Sequence, residues 1–276
     1  MEYREKFIGF IDVLGFKQLV KASENGSGMS LQELMNLLEN LGSREDVVKF
    51  KNLGFTLCPE SRYIHKDLDF QLTQISDCVI VSSEISPAGV INLISHCSSA
   101  IIGLLSKGIM CRGYITKGMI YHTETQIIGS GYQEAYKKES EVAVFKKSAD
   151  ERGTPFVEID SIVCDYIKET DDNCVLKMFN RFVKNDEQIT VLFPFQMFSH
   201  SFIIAGLGVE FDLQKEKQSN ENLRLLIQDL KKRVMEFVDG SNLKAKAKAE
   251  FYISALETQL TICDEMDEFI NNFTKK

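Results

Sequence analysis

Asp12 stands in an apolar run, Phe7-Ile-Gly-Phe-Ile-Asp12-Val-Leu-Gly-Phe16, and Asp77 separates Leu72-Thr-Gln-Ile-Ser76 from Cys78-Val-Ile-Val81. A lone carboxylate buried in such a strand is costly unless a partner offsets it. Two of them on neighbouring strands repel, and divalent cations bridging them to a phosphate relieve the repulsion. Singly, Asp12 also reads as a strand-end cap and Asp77 as a turn residue. As a pair at strand and turn positions they point to metal-assisted phosphoryl chemistry, which works by placement and charge stabilisation. The rest of the chain agrees, with only four His and no nucleophile motif.

Composition narrows the partners. Among 276 residues, 40 acidic against 32 basic ones give a formal charge of −8. Such a surface is a poor match for a nucleic-acid backbone, so no nucleic-acid track is expected. A single polyphosphate remains open to it if a cation stands between. The seven cysteines are widely spaced and lack any Cys-x-x-Cys pair, so they read as reduced thiols, without a zinc site or disulfide framework. No window approaches 18 uninterrupted apolar residues, and Met1-Glu-Tyr-Arg-Glu-Lys6 has no leader character. A cytoplasmic protein without a membrane span is the expectation.

The elements that hold the two carboxylates follow from hydrophobic periodicity. A buried strand ends near Gly15, and a helix covers about Gly15 to Ala22. A break at Asn25–Gly28 precedes a helix from Leu31 to Leu41 with Leu34, Leu37, Leu38 and Leu41 on one face. The stretch 43–65 is irregular and charged. Strands are expected at about 66–75 and 78–83 around a tight Ser76-Asp77 turn. A buried helix then runs from Val90 to Leu105, a strand from Met110 to Tyr121 enters a hairpin, and a short helix follows Gly129-Ser-Gly131. A strand near Phe156–Ile159, a helix near Ser161–Ile167 and a turn at Asp171–Asn173 come next, and 175–210 reads as further strands. Helices at about 219–238 and 242–273 flank Asp239-Gly240, with Leu243, Ala247, Phe251, Ser254, Leu256, Leu260, Cys263, Met266 and Ile270 in helical rhythm. This order predicts an α/β sandwich with a ferredoxin-like palm over 1–212 and a helical extension over 213–276, either a cap or a dimerisation arm.

The motifs resemble those of class III nucleotidyl cyclase catalytic domains over roughly residues 5–165. Phe10-Ile-Asp12-Val-Leu-Gly15-Phe16 is similar to the first metal motif, and Gln74-Ile-Ser-Asp77 to the second, with Ser76 where Gly is commoner. Arg112-Gly-Tyr-Ile-Thr-Lys-Gly118 and Gly129-Ser-Gly-Tyr-Gln-Glu-Ala-Tyr-Lys-Lys-Glu139 resemble the following strand and the helix of transition-state residues. The particular variant is closest to the pyrimidine nucleotide cyclases of bacterial Pycsar anti-phage systems. The resemblance implies two Mg²⁺ or Mn²⁺ ions held by Asp12, Asp77 and the carbonyl of Val13, with Gly15, Phe16 and Arg112 near the substrate. It also implies a homodimer with sites at the interface, UTP or CTP as substrate, and a separate effector that responds to the cyclic product.

The chain departs from the family where Asn and Arg commonly stand four residues apart, having Gln133 and Lys137. Lys lacks the planar fork of Arg but still neutralises phosphate. At the base-reading places it has Thr73 and Gln126, neither the Lys and Asp of adenine-type enzymes nor the Glu and Cys of guanine-type ones. Both can donate and accept, which suits a pyrimidine edge. Arg62 and Tyr63 are looser candidates for base contact. Gly118, Gly129 and Gly131 are expected to serve turns and close packing. The rival reading is a catalytically inactive nucleotide-binding or scaffolding protein that keeps the fold.

Overall fold

The computed structural model describes residues 1–43, 47–48, 68–201, 212–238 and 242–273. Arg62 and Tyr63, Asp239-Gly240 and the end of the 175–210 stretch lie outside the described residues. Packing divides the chain into two compact units, one of Met1–Leu104 with Ile109–Pro194, the other of Leu105–Gly108 with Phe195–Lys276. The helical extension expected from 213 lies within the second.

In the first unit, β1 (Arg4–Val13), α1 (Phe16–Glu24), α2 (Leu31–Leu38), β2 (Phe70–Ile75), β3 (Cys78–Glu84), α3 (Pro87–Leu105) and β4 (Cys111–His122) follow in order. The sheet order begins β2-β3-β1-β4, every one of these pairings antiparallel. Two split β-α-β crossovers interleave in this way, which is the ferredoxin-like palm. β5 (Ile127–Ile128) folds back on the end of β4, and α4 (Ser130–Glu139) follows. Among the described residues the sheet has eight strands, extended beyond β4 by β6 (Val157–Ile159), then β8 (Ile189–Leu192) and β7 (Val183–Asp186), with β6 parallel to β4.

Alternation along β1 sorts the core into two faces. Phe7, Gly9, Ile11 and Val13 face one side, where a Cβ on Gly9 would stand 3.1 Å from Cys97 Sγ of α3. Phe7 meets Tyr166 of α5 (Ser161–Glu169) edge-on, ring centroids 5.0 Å apart. By length and apolar composition α3 could cross a bilayer, but 78% of it is buried in the fold. The other face carries Ile8, Phe10, Ile80 and Ile120, packed against Ala135 and Tyr132 of α4.

That helix sits close because its seat is glycine on glycine. A Cβ on Gly118 would fall 2.8 Å from the Gly131 α-carbon, and one on Gly131 would meet Gly118 backbone at 3.0 Å. Backbone cannot yield as a side-chain tip does. Gly118→Ala is therefore expected to lift α4 off the sheet and cost about 2 kcal/mol, read as a lower urea midpoint.

Two expectations are corrected. The start of the 175–210 stretch is not strand: α6 runs Asn173–Asn180. Asp172 caps it by accepting from the N–H groups of Cys174 and Val175, and Val175 and Phe179 bury one face. A four-residue apolar spacing in so short a run is easily read as alternation. The cysteines are not all thiols either. Cys78, Cys97, Cys111, Cys164 and Cys263 are thiols, whereas Cys174 is disulfide-bonded. Cys174 sits half-buried in the first turn of α6, outside the apolar runs that hold Cys78 and Cys97.

In the second unit, α7 (Leu213–Phe237) and α8 (Leu243–Phe273) form an antiparallel hairpin. Arg224 meets Asp264 and Asp267, and Lys231 meets Glu257, which fixes the register. Tyr252, Leu256, Gln259, Cys263 and Ile270 are buried along α8, while Leu243, Ala247 and Ser254, read as part of that stripe, are exposed.

Candidate active site

Asp12 is the last residue but one of β1, and pairing with β3 sets it opposite Cys78, the residue after Asp77. The Val13 N–H donates to the Asp77 carbonyl at 3.0 Å, so the end of β1 is bonded to the Ser76-Asp77 turn itself. Opposed α-carbons in an antiparallel pair lie about 5 Å apart, which makes Asp12 and Asp77 diagonal neighbours. The thiol beside them registers both charges: burial first, then the Asp12 and Asp77 carboxylates and Glu139, push Cys78 up to about 12. Ser76 takes the left-handed region (φ 53°), the conformation that explains why Gly is commoner there in the resembling motif.

Immediately after β1, Gly15 turns the chain with φ 82° and opens α1. A Cβ at Gly15 would meet nothing within 4 Å, so backbone conformation, not crowding, calls for glycine. No side chain caps α1 and its first turn holds no acidic residue. Its leading N–H groups, at the positive end of the helix dipole, thus begin three residues after Asp12. Phe16 and the side chain of Val13 are buried, so Val13 meets the site through its main chain.

Arg112 stands opposite Asp12 on β4. Its Nε–H donates to Glu139 Oε1 at the end of α4, both side chains being largely withdrawn from solvent. The helix α4 buries Gly131, Ala135 and Glu139 at intervals of four. Gln133 and Lys137 are exposed on its other side, one turn apart, and in a single chain they turn away from the sheet that carries Asp12 and Asp77.

Thr73 lies on β2 four residues before Asp77 and Gln126 in the turn between β4 and β5. The Thr73 hydroxyl is 3.0 Å from His122 Nε2 and 3.4 Å from the Thr123 carbonyl, and the Gln126 N–H donates to Thr123 Oγ1. The two candidate base readers therefore converge on Thr123. The Gln126 side chain is exposed, whereas Thr73 is half-buried. Two further residues here carry no motif: His122, whose Nδ1 is 2.8 Å from Ser82 Oγ, and Ser82 itself. Only the way the end of β4 reaches over β1 to β3 and β2 brings them to Thr73, and no sequence spacing announces that.

Among the described residues no group of three or more His, Cys, Asp or Glu converges to hold a metal ion. The donors here are instead two carboxylates and main-chain oxygen, and the Cys78 thiol beside them is held protonated. Hard oxygen donors in a like-charged pair fit Mg²⁺ or Mn²⁺, cations that take oxygen ligands and keep water in their shells. They do not fit a zinc site.

No protein-family model and no curated protein matches the chain. Among solved structures, it is similar to the catalytic core of a rhodopsin-guanylyl cyclase with converted specificity in complex with ATPalphaS, at 13% identity and a TM-score of 0.36, over 70% of this chain and 97% of that one. It is also similar to a class III adenylyl cyclase-like ATP-binding protein from Pseudomonas aeruginosa, at 12% identity and a TM-score of 0.38, over 64% of this chain and 40% of that one.

Proposed function

We propose that the protein is a metal-dependent nucleotidyl cyclase that converts UTP or CTP to the 3′,5′-cyclic nucleotide and diphosphate. The observation that carries this reading is the β1–β3 register, which sets Asp12 and Asp77 side by side at the ends of the two central strands. Beside them lies the uncapped start of α1. Asp12, Asp77 and the Val13 carbonyl would hold Mg²⁺ or Mn²⁺, whose charge acidifies the ribose 3′-hydroxyl and stabilises the reacting phosphate.

The chain's own residues supply the rest. The α1 N–H groups behind Gly15 receive phosphate oxygens, as helix N-termini do. Lys137 neutralises phosphate charge and Gln133 hydrogen-bonds the ribose. Thr73 and Gln126 meet the base. The 3′-oxygen forms its bond to the α-phosphorus as the bond to the leaving diphosphate breaks.

Gln133 and Lys137 turn away from their own sheet, so the reading places them against the carboxylate pair of a second copy. Exposed Ile75 and Tyr136 lie on the β2–β3 hairpin and on α4 around this face and would be covered in such a homodimer. The pyrimidine preference and a role as a second-messenger source in anti-phage defence rest on the motif variant alone.

Incubation with each of the four NTPs and Mn²⁺, with products identified by mass spectrometry, tests the reading. A cyclic pyrimidine nucleotide is the expected product. Nucleotide binding with no product from any NTP would instead identify a binding protein, and cyclic AMP would remove the base preference while leaving the cyclase.

A further inference from the structure

His122 is 7% exposed and Ser82 fully buried, yet both are polar and lie on the sheet face shared with Asp12. The bonds run in one line: Ser82 Oγ to His122 Nδ1 at 2.8 Å, His122 Nε2 to Thr73 Oγ1 at 3.0 Å, and Thr73 Oγ1 to the Thr123 carbonyl at 3.4 Å. Among the described residues, the partner of the Ser82 hydroxyl is His122 Nδ1. A buried O–H left without an acceptor carries a desolvation penalty, so the Ser82 proton goes to Nδ1. The imidazole is then the Nε2–H tautomer and donates to Thr73. Thr73 in turn donates its own proton to the Thr123 carbonyl, which accepts and cannot give. The opposite polarity would leave the Ser82 proton without an acceptor and the Thr123 contact without a donor.

We infer that His122 is a positioning residue that, held by Ser82, fixes the Thr73 hydroxyl as a hydrogen-bond acceptor toward the nucleobase. The inference rests on the nucleotide reading above. One lone pair of Thr73 remains for a ligand, and it selects an N–H at the base edge: N3–H of uracil or the 4-amino group of cytosine. A base presenting only acceptors there leaves that lone pair facing another, with loss of affinity. The apolar neighbours of this face and the low dielectric they impose keep the polarity of the chain from averaging. Consistent with this, burial and the nearby Lys6 ammonium push His122 down to about 4, so the ring stays neutral, and one of its nitrogens acceptor, at ordinary pH.

The test uses the full chain, Mn²⁺, and 3′-deoxy-UTP and 3′-deoxy-CTP, which lack the attacking hydroxyl and so report binding alone. They are compared with their 3-methyl and N4,N4-dimethyl forms, in which the donor is removed. The wild-type protein is expected to prefer at least one parent nucleotide over its methylated form by about ten-fold, the effect of one hydrogen bond. Thr73→Val and His122→Leu are expected to bring that ratio to near unity. His122→Gln, whose amide N–H falls where Nε2–H was, is expected to restore it, which a merely structural histidine would not do. Nitrogen-15 NMR of the labelled imidazole is expected to show the Nε2–H form with or without nucleotide.

An Nδ1–H tautomer overturns the inference, as does a methylation ratio that stays at its wild-type value in His122→Leu and Thr73→Val. Those outcomes leave the cyclase reading intact. Failure of the wild-type protein to bind any nucleotide overturns the reading and the inference together.

Discussion

Asp12→Asn and Asp77→Asn proteins are expected to fold normally and to lose cyclic-nucleotide formation by about a thousand-fold or more, the scale of removing a charge that a phosphoryl-transfer site depends on. The two effects must be measured together, because each excludes a different reading. If Asp12 were a structural cap on β1, its amide would weaken the fold and activity would fall only in proportion. The geometry argues otherwise. Asp12 lies diagonal to Asp77, and both carboxylates act on the Cys78 thiol.

Like charges so placed repel in the metal-free protein. Neutralising either one is therefore expected to leave the thermal midpoint in EDTA unchanged or slightly raised. In the wild-type protein Mn²⁺ is expected to raise that midpoint, since a ligand of the native state stabilises by mass action. In both variants the Mn²⁺ shift is expected to vanish. A thermal midpoint that falls steeply in EDTA, with Mn²⁺ still stabilising the variant, would move Asp12 from the site to the scaffold.

The second large effect is on stability against pH. His122 has its ordinary value of 6.5 pushed down to about 4, by burial first and by the Lys6 ammonium second, with Asp69 opposing. The folded state binds fewer protons than the unfolded state between those two values, so stability rises with pH there. The contribution is complete above about pH 6.5 and is lost as the pH falls toward 4. Its size is on the order of 3 kcal/mol. Urea midpoints taken from pH 7 to 4 are expected to fall accordingly, and the fall to shrink by most of that amount in His122→Gln.

Lys6, Asp69, Arg4, Glu2, Ser82, Thr73 and Thr123 are among the polar groups in this surrounding. For Asp69, burial raises the carboxyl but Lys6, Gln71 and Arg4 together more than offset it, and the net shift is downward. It therefore titrates below the His122 window. Equal slopes in wild type and His122→Gln would mean that the imidazole is hydrated in the folded protein.

The strand ending near Gly15, the hairpin at Ser76-Asp77, the buried helix ending at Leu105 and the long strand after Met110 are each legible from apolar runs and turn residues. Their short-range signals and their tertiary roles agree. The order of these elements implies the palm, because an interleaved pair of crossovers is the compact way to lay them in one sheet. Helix α6 escaped because its capping aspartate and two buried residues make too short a pattern to separate from a strand.

Charge and composition alone argued against a nucleic-acid track and, for a polyphosphate partner, called for a cation between. An aspartate in an apolar strand and an aspartate in a turn were equally visible. Their proximity was not, since it depends on a register in which Asp12 pairs with Cys78, and a slip of one residue would send Asp12 to the opposite face. The Arg112–Glu139 pair and the Ser82–His122–Thr73 chain were beyond reach for the same reason. Residues 27 to 49 positions apart share no local pattern, and only the packed sheet, by withdrawing them from water, makes their hydrogen bonds worth choosing between.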